Sequence, residues 1–122
     1  MKDAPKTIKI DNNEYVLKSE YEKASTYEGL EYKIVRTYSA GVFAGYLESR
    51  NGREVVLRQA KRLWYWDGAA SLSQLAMEGV NKPANCKFAM EVDKVELLEA
   101  VEILDCTAKA KESLDEVKVW KV

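Results

Sequence analysis

Apolar and polar residues alternate along most of this chain, and the alternation defines its strands. Tyr32, Ile34, Arg36 and Tyr38 fall on one side of a run whose other side carries Lys33, Val35 and Thr37, which is the period of an extended strand. Ser39-Ala40-Gly41 interrupts it. Val42 to Ser49 resumes, with Phe43 and Leu47 on one side and Gly45 between them. Asn51-Gly52 then stands between two strand-like runs, the strongest short hairpin signal, and Glu54 to Arg58 is the return strand. Gln59 to Trp66 continues extended and aromatic. Cys86 to Val92 and Val95 to Leu104 read as further strands, although Val95 to Val101 also satisfies a helical period. Val117, Val119, Trp120 and Val122 predict a closing strand.

Elsewhere the period lengthens. Leu72, Leu75 and Ala76 recur at spacings of three and four, which predicts a helix over Gly68 to Met77 stopped by Gly79. Asn81-Lys82-Pro83 is a loop, because the residue before proline avoids helix. Thr107 caps a second helix reaching Glu116. In the first thirty residues, Thr7 to Ile10 and Tyr15 to Leu17 read as a small hairpin. Ser19 to Gly29 fits either a short helix, on the capping-box spacing of Ser19 and Glu22, or a solvated loop. The expectation is a single α+β domain spanning 1–122: a small, mainly antiparallel sheet with two or three short helices, 1–30 as an arm and 31–122 as the core.

Composition narrows the function. The chain has 122 residues, room for one core. Its 19 basic and 20 acidic residues nearly cancel, so it lacks the overall field of a DNA binder, and any anion site is local. There is no apolar run long enough to span a bilayer, and the first residues lead into polar sequence rather than a secretory h-region. Cys86 and Cys106 have no partner at metal-ligand spacing, so two reduced cysteines in a cytoplasm are expected and no metal site is. Histidine is absent, which removes Ser-His-Asp and Cys-His catalysis and the commonest general base. No Walker or dinucleotide fingerprint occurs. Glu91, Asp93, Glu96, Glu99 and Glu102 are spaced as a wet face rather than as a catalytic carboxylate pair. No enzyme and no cofactor is expected.

The densest chemistry lies between Lys61 and Ser73. Arg62, Trp64 and Trp66 share one side of an extended strand, leaving Leu63 and Tyr65 for the core. Gly68, Ala69, Ala70 and Ser71 follow where a helix begins and its first amides are unpaired. Flat rings, a guanidinium and free amides are what a nucleotide needs: stacking for the base and donors for the phosphates. Asp67 is read as the cap of that helix ahead of an acceptor for a ribose hydroxyl. Arg36, Tyr38 and Ser39 form a second polar-aromatic cluster, and Lys109 and Lys111 on the last helix read as solvent-facing ahead of either closing over an anion in an oligomer.

From Arg36 to Val122 the chain resembles a family of small bacteriophage proteins. The resemblance is carried by Arg-Thr-Tyr-Ser-Ala-Gly-Val at 36 to 42, Trp-Tyr-Trp-Asp-Gly-Ala-Ala-Ser-Leu-Ser-Gln-Leu-Ala at 64 to 76, and Val-Trp-Lys-Val at the end. Within that group it resembles the Thoeris anti-defence 1 proteins, phage sponges that sequester the cyclic ADP-ribose isomers made by TIR-domain enzymes as immune signals. Some members also hold cyclic oligonucleotides at a separate site. The resemblance implies a homo-oligomer in the host bacterial cytoplasm, ligand pockets at subunit interfaces, and no turnover. A phage inhibitor or accessory module that docks on a protein through Trp64 and Trp66 is the alternative.

Overall fold

The computed structural model describes residues 22–122. Six strands and two helices follow in chain order: β1 (Tyr32–Thr37), β2 (Val42–Asn51), β3 (Glu54–Tyr65), α1 (Leu72–Glu78), a single 3-10 turn (Pro83–Asn85), β4 (Lys87–Phe88), β5 (Val92–Leu97), β6 (Ala100–Asp105) and α2 (Ala108–Asp115). The sheet runs β4-β3-β2-β1-β6, with β5 pairing β3 alongside β4. Every one of these pairings is antiparallel. Strand outweighs helix, so the expected small antiparallel sheet is present and the helices are its minor part.

β5 and β6 are consecutive in the chain yet lie on opposite rims of the sheet. Leu98 and Glu99 join them, and the corner is tied at both sides. The Tyr38 amide donates to the Glu99 carbonyl at 2.9 Å, and the Ala100 amide donates to the Arg53 carbonyl at 2.9 Å. The five strands β6, β1, β2, β3 and β5 therefore coil into an open barrel. Val35, Phe43, Val55, Leu57, Ala60, Leu97 and Ala100 fill its interior. Such coiling needs strands that bend. Between Ala44–Lys61 and Tyr46–Arg58, β3 carries one extra residue and Gln59 takes a left-handed φ of 49°, while β2 has its own bulge further on, between Leu47 and Ser49. Gly45 sits there against Ala60. A Cβ at 45 would meet Ala60 Cβ at 2.8 Å and Ala60 Cα at 3.0 Å.

The outer face of the barrel carries the second core. Tyr32, Ile34, Ala44, Leu63 and Phe88 pack beneath Leu75, Ala76, Ala110 and Leu114 of the two helices. The helices are capped from within. Ser71 Oγ accepts from the Gln74 amide at 3.1 Å, and Thr107 Oγ1 accepts from the Ala110 amide at 3.0 Å. Thr107 Oγ1 also donates to the Met77 carbonyl at 2.7 Å. Ser113 Oγ both donates to the Val80 carbonyl and accepts from the Val80 amide, each at 2.9 Å, so α2 is stitched to the end of α1. No described helix is long and apolar enough to cross a membrane.

Several expected boundaries move. The predicted hairpin over Thr7 to Leu17 lies outside the described residues. Of Ser19 to Gly29, the part from Glu22 is an extended arm rather than a helix, bridged at Lys23 to Thr107 and turned between Tyr27 and Leu30. The extended form lets the Ala24 amide donate to the Cys106 carbonyl at 3.0 Å and the Glu22 carbonyl accept from the Ala108 amide at 2.7 Å, on either side of Thr107. α1 begins at Leu72 rather than Gly68, because Ser71 and not Asp67 supplies the cap. Cys86 to Val92 is interrupted, with only Lys87–Phe88 paired before β5 starts. The predicted closing strand is reduced to one parallel bridge, Phe88 with Val119, and a 3.0 Å bond from the Trp120 amide to the Phe88 carbonyl, since β4 is too short to template more.

Replacing Gly45 with Ala is expected to destabilise the fold by about 1–3 kcal/mol, the ordinary cost of overpacking a tight core. The urea midpoint reads this directly, and an unchanged midpoint would mean that β2 and β3 separate there without cost.

Candidate functional site

β3 runs past the barrel. Its first half lies between β2 and β5, while Leu63 to Tyr65 pair with the two residues of β4. The register slips between Leu63, opposite Phe88, and Tyr65, opposite Lys87, which leaves Trp64 as an unmatched bulge residue. Strict alternation ends there. Leu63 is buried as expected, but Tyr65 is 51% exposed rather than core, and Trp64 is 62% exposed. Trp66 lies beyond the strand and packs, partly buried, against the helix-side core. Trp64 and Trp66 thus do not share a face.

Arg62 and Trp64 do remain on the surface together. Arg62 is opposite Phe43 of β2, and its guanidinium carbon lies 4.8 Å from the Phe43 ring centroid. The β1–β2 turn ends beside it, since a Cβ at Gly41 would lie 4.0 Å from Arg62 Cδ. That turn carries Tyr38, 77% exposed, and Ser39, whose hydroxyl donates to Glu99 Oε1 at 3.3 Å. It is held by Thr37, which donates to the Gly41 carbonyl at 2.7 Å and accepts from the Ala40 amide at 2.9 Å. Arg36 belongs to the opposite face by strand alternation, where Nε donates to Glu102 Oε1 at 2.8 Å.

The helix half of the predicted site goes elsewhere. Gly68 has a φ of +96°, and a Cβ there would lie 2.3 to 2.7 Å from Asn81 and Lys82, so this glycine serves close packing on the 81–86 loop. Asp67 Oδ2 accepts from Asn85 Nδ2 at 3.0 Å, fixing the same loop instead of capping α1. Ala69 packs against the helix-side core. The Ala70 amide donates to Gln74 Oε1 at 2.8 Å, and Ser71 Oγ is engaged with the Gln74 amide. The Ala70 amide is thus taken up within the chain, and α1 is only 7 residues long. Lys109 is exposed on α2, in the helical layer and away from Arg62.

Two residues that the sequence did not single out join Trp64. Trp120 stacks beside it with ring centroids 6.3 Å apart and planes 14° from parallel, and is itself 50% exposed. Lys87 places its ammonium 5.4 Å from the Trp120 centroid. Trp120 reads as one more strand residue in sequence, and nothing local says that its segment is laid along β4. Among the described residues, no three His, Cys, Asp or Glu side chains gather as a metal ion would require.

A second titratable cluster lies under the helices. Lys61 is nearly buried, donates to the Leu114 carbonyl at 3.1 Å and lies 3.6 Å from Asp115. Burial lowers its pKa, and Asp115 opposes the shift. Burial acts most strongly against the charge on Lys111, but its 2.6 Å bond with Asp115, the Asp115 charge and Tyr46 together outweigh it and raise its pKa. These lysines border a cavity of about 350 Å³ with Phe88, Glu91 and Val119. Their bonds close the last turn of α2, where free carbonyls favour cations. Cys106 is buried in the same layer, which pushes its thiol pKa up to about 12.

Residues 30–114 match the family described as a domain of unknown function (DUF6948). The chain belongs to that family. The match begins just before β1 and ends within α2, so the DUF6948 domain comprises the barrel, both helices and β3 with its Arg62–Trp64 extension. Lys87 falls inside the match and Trp120 outside it. No curated protein and no solved structure matches the chain.

Lys61 makes a pH prediction. Its folded pKa lies below the ordinary value of 10.5, so between the two the unfolded chain binds more protons and stability rises with pH. Relative to Lys61→Met, the wild type is expected to gain stability on going from neutral pH towards 10.5, as measured by urea melts at stepped pH. Parallel curves would refute a desolvated ammonium.

Proposed function

We propose that this protein binds a nucleotide-type signal of the cyclic ADP-ribose class and sequesters it without turnover, as the Thoeris anti-defence 1 proteins it resembles do. It works as a homo-oligomer in the host bacterial cytoplasm, with cyclic oligonucleotides as a further ligand class. One observation carries the reading: Arg62 and Trp64 stand on one strand, close together and open to solvent, on the face of β3 that the helices leave uncovered. A guanidinium engages diphosphate by charge-assisted bonds, and an indole stacks on a base. Holding a ligand needs no proton transfer, which agrees with a chain that has no histidine. Because the Ala70 amide is already bonded to Gln74 and Gly68 is packed on the 81–86 loop, donors beyond Arg62 come from other side chains or from a neighbouring subunit.

A second reading has its own support. Trp64, Tyr65, Val119 and Trp120 are each 45–62% exposed and lie on neighbouring segments, which also describes a protein-docking patch of an inhibitor module.

Native mass spectrometry of the protein after incubation with a TIR-enzyme reaction separates the two. The expected result is an oligomer carrying a ligand of cyclic ADP-ribose mass, released unchanged by heat. Arg62→Ala should weaken capture about 10- to 100-fold, from roughly 1.5–3 kcal/mol for a charge-assisted bond. Release of an altered nucleotide would make the protein an enzyme, and an empty protein in complex with a host polypeptide would favour the inhibitor module.

A further inference from the structure

Trp64 and Trp120 rise from segments on either side of β4. β3 pairs with β4 through Leu63–Phe88 and Tyr65–Lys87, and the 119–120 segment pairs with the other side of Phe88. Their backbones are therefore two strand spacings apart, about 9.6 Å. The rings lean towards each other until their centroids are 6.3 Å apart and their planes nearly parallel. Lys87 lies in the strand between them and keeps its ammonium at the Trp120 ring. Phe88 and Leu63 point into the helix-side core, which holds this short three-segment ribbon in place from below.

We propose that Trp64 and Trp120 are the two jaws of a clamp for a single planar heteroaromatic ring, with Lys87 at its floor binding a phosphate or other anion attached to that ring. A ring held between two others needs about 7 Å between the outer planes, twice the roughly 3.5 Å of carbon contact. The 6.3 Å between centroids is an upper bound on the separation of these nearly parallel planes, so the two exposed indoles rotate apart to admit a ring. Both jaws are half exposed or more, so a ring slides in from solvent. Arg62 lies two residues before Trp64 on β3, within reach of the far end of an extended diphosphate. The clamp rests on the nucleotide reading above and assigns the base to a pair of indoles, one of which lies outside the family match.

The test titrates 1,N6-etheno-ADP, whose ring emission is quenched on stacking, against wild type, Trp64→Ala, Trp120→Ala, Trp120→Phe and Lys87→Gln, with a thermal melt of each variant to confirm folding. Either alanine variant is expected to weaken binding about 10- to 100-fold, the usual effect of losing one stacking surface, while Trp120→Phe keeps most of the affinity. Lys87→Gln should flatten the salt dependence of binding. If Trp64→Ala weakens binding and Trp120→Ala does not, the clamp is wrong and the nucleotide reading stands. No binding of etheno-ADP by wild type overturns the clamp, and the TIR-reaction experiment then decides whether sequestration occurs at another place. Retention of etheno-ADP with no capture of the TIR product preserves the clamp and removes the sponge function.

Discussion

The close approach of β2 to β3 at Gly45 and Ala60 is the constraint on which the rest of the molecule depends. With Cβ space of less than 3 Å there, only a glycine lets the strands cross at that angle. The bulge at Gln59 adds the twist that brings β5 round towards β6. A flatter sheet would leave Val55, Leu57 and Leu97 facing water, because no helix covers the barrel interior. Coiling buries them against Val35 and Phe43 instead. β3 then serves two cores in succession, with Leu57 and Ala60 inside the barrel and Leu63 under the helices.

That double duty shapes the surface. Past the barrel, β3 meets only the two residues of β4 and one further segment laid beside them, so its uncovered face stays open. The bulge at Trp64 turns consecutive aromatic rings outward where alternation would have buried one. Arg62 anchors the start of this face on Phe43, and Trp120 faces Trp64 across β4. Cations and indoles are thereby gathered on one face of the ribbon formed by β3, β4 and the 119–120 segment.

The helix-side layer holds its polar groups differently. Thr107 and Ser113 use both donor and acceptor capacity to fasten α2 to α1, and Lys61 reaches from the helix-facing side of β3 to the last turn of α2. Lys23, Lys33, Glu31 and Asp105 form an ion-pair network where the arm joins β1. Lys33 and Asp105 hold each other charged: their mutual bond lowers the Asp105 pKa and, against burial, raises that of Lys33. These charges are engaged with one another, whereas Arg62 and Lys87 each lie against an aromatic ring, Phe43 and Trp120.

Local pattern alone determined the strands from Tyr32 to Tyr65, a hairpin at Asn51-Gly52, the Thr107 cap and the Gly79 stop, whereas Val95 to Leu104, which fits a strand and in part a helix, is broken at Leu98 and Glu99 into β5 and β6. Period, turn chemistry and capping act over a few residues, so they are written into neighbouring positions. Arg62 and Trp64 as surface partners were legible for the same reason. Only the tertiary structure decided that Trp66 turns inward and Tyr65 outward, because a register slip against β4 overrides alternation. It also consumed the Ala70 amide with the Gln74 side chain and the Gln74 amide with the Ser71 hydroxyl, and gave Gly68 to loop packing. Trp120 came to Trp64 from 56 residues away, through a bridge to a two-residue strand. Contacts of that range depend on how the whole chain coils, and no window of sequence contains them.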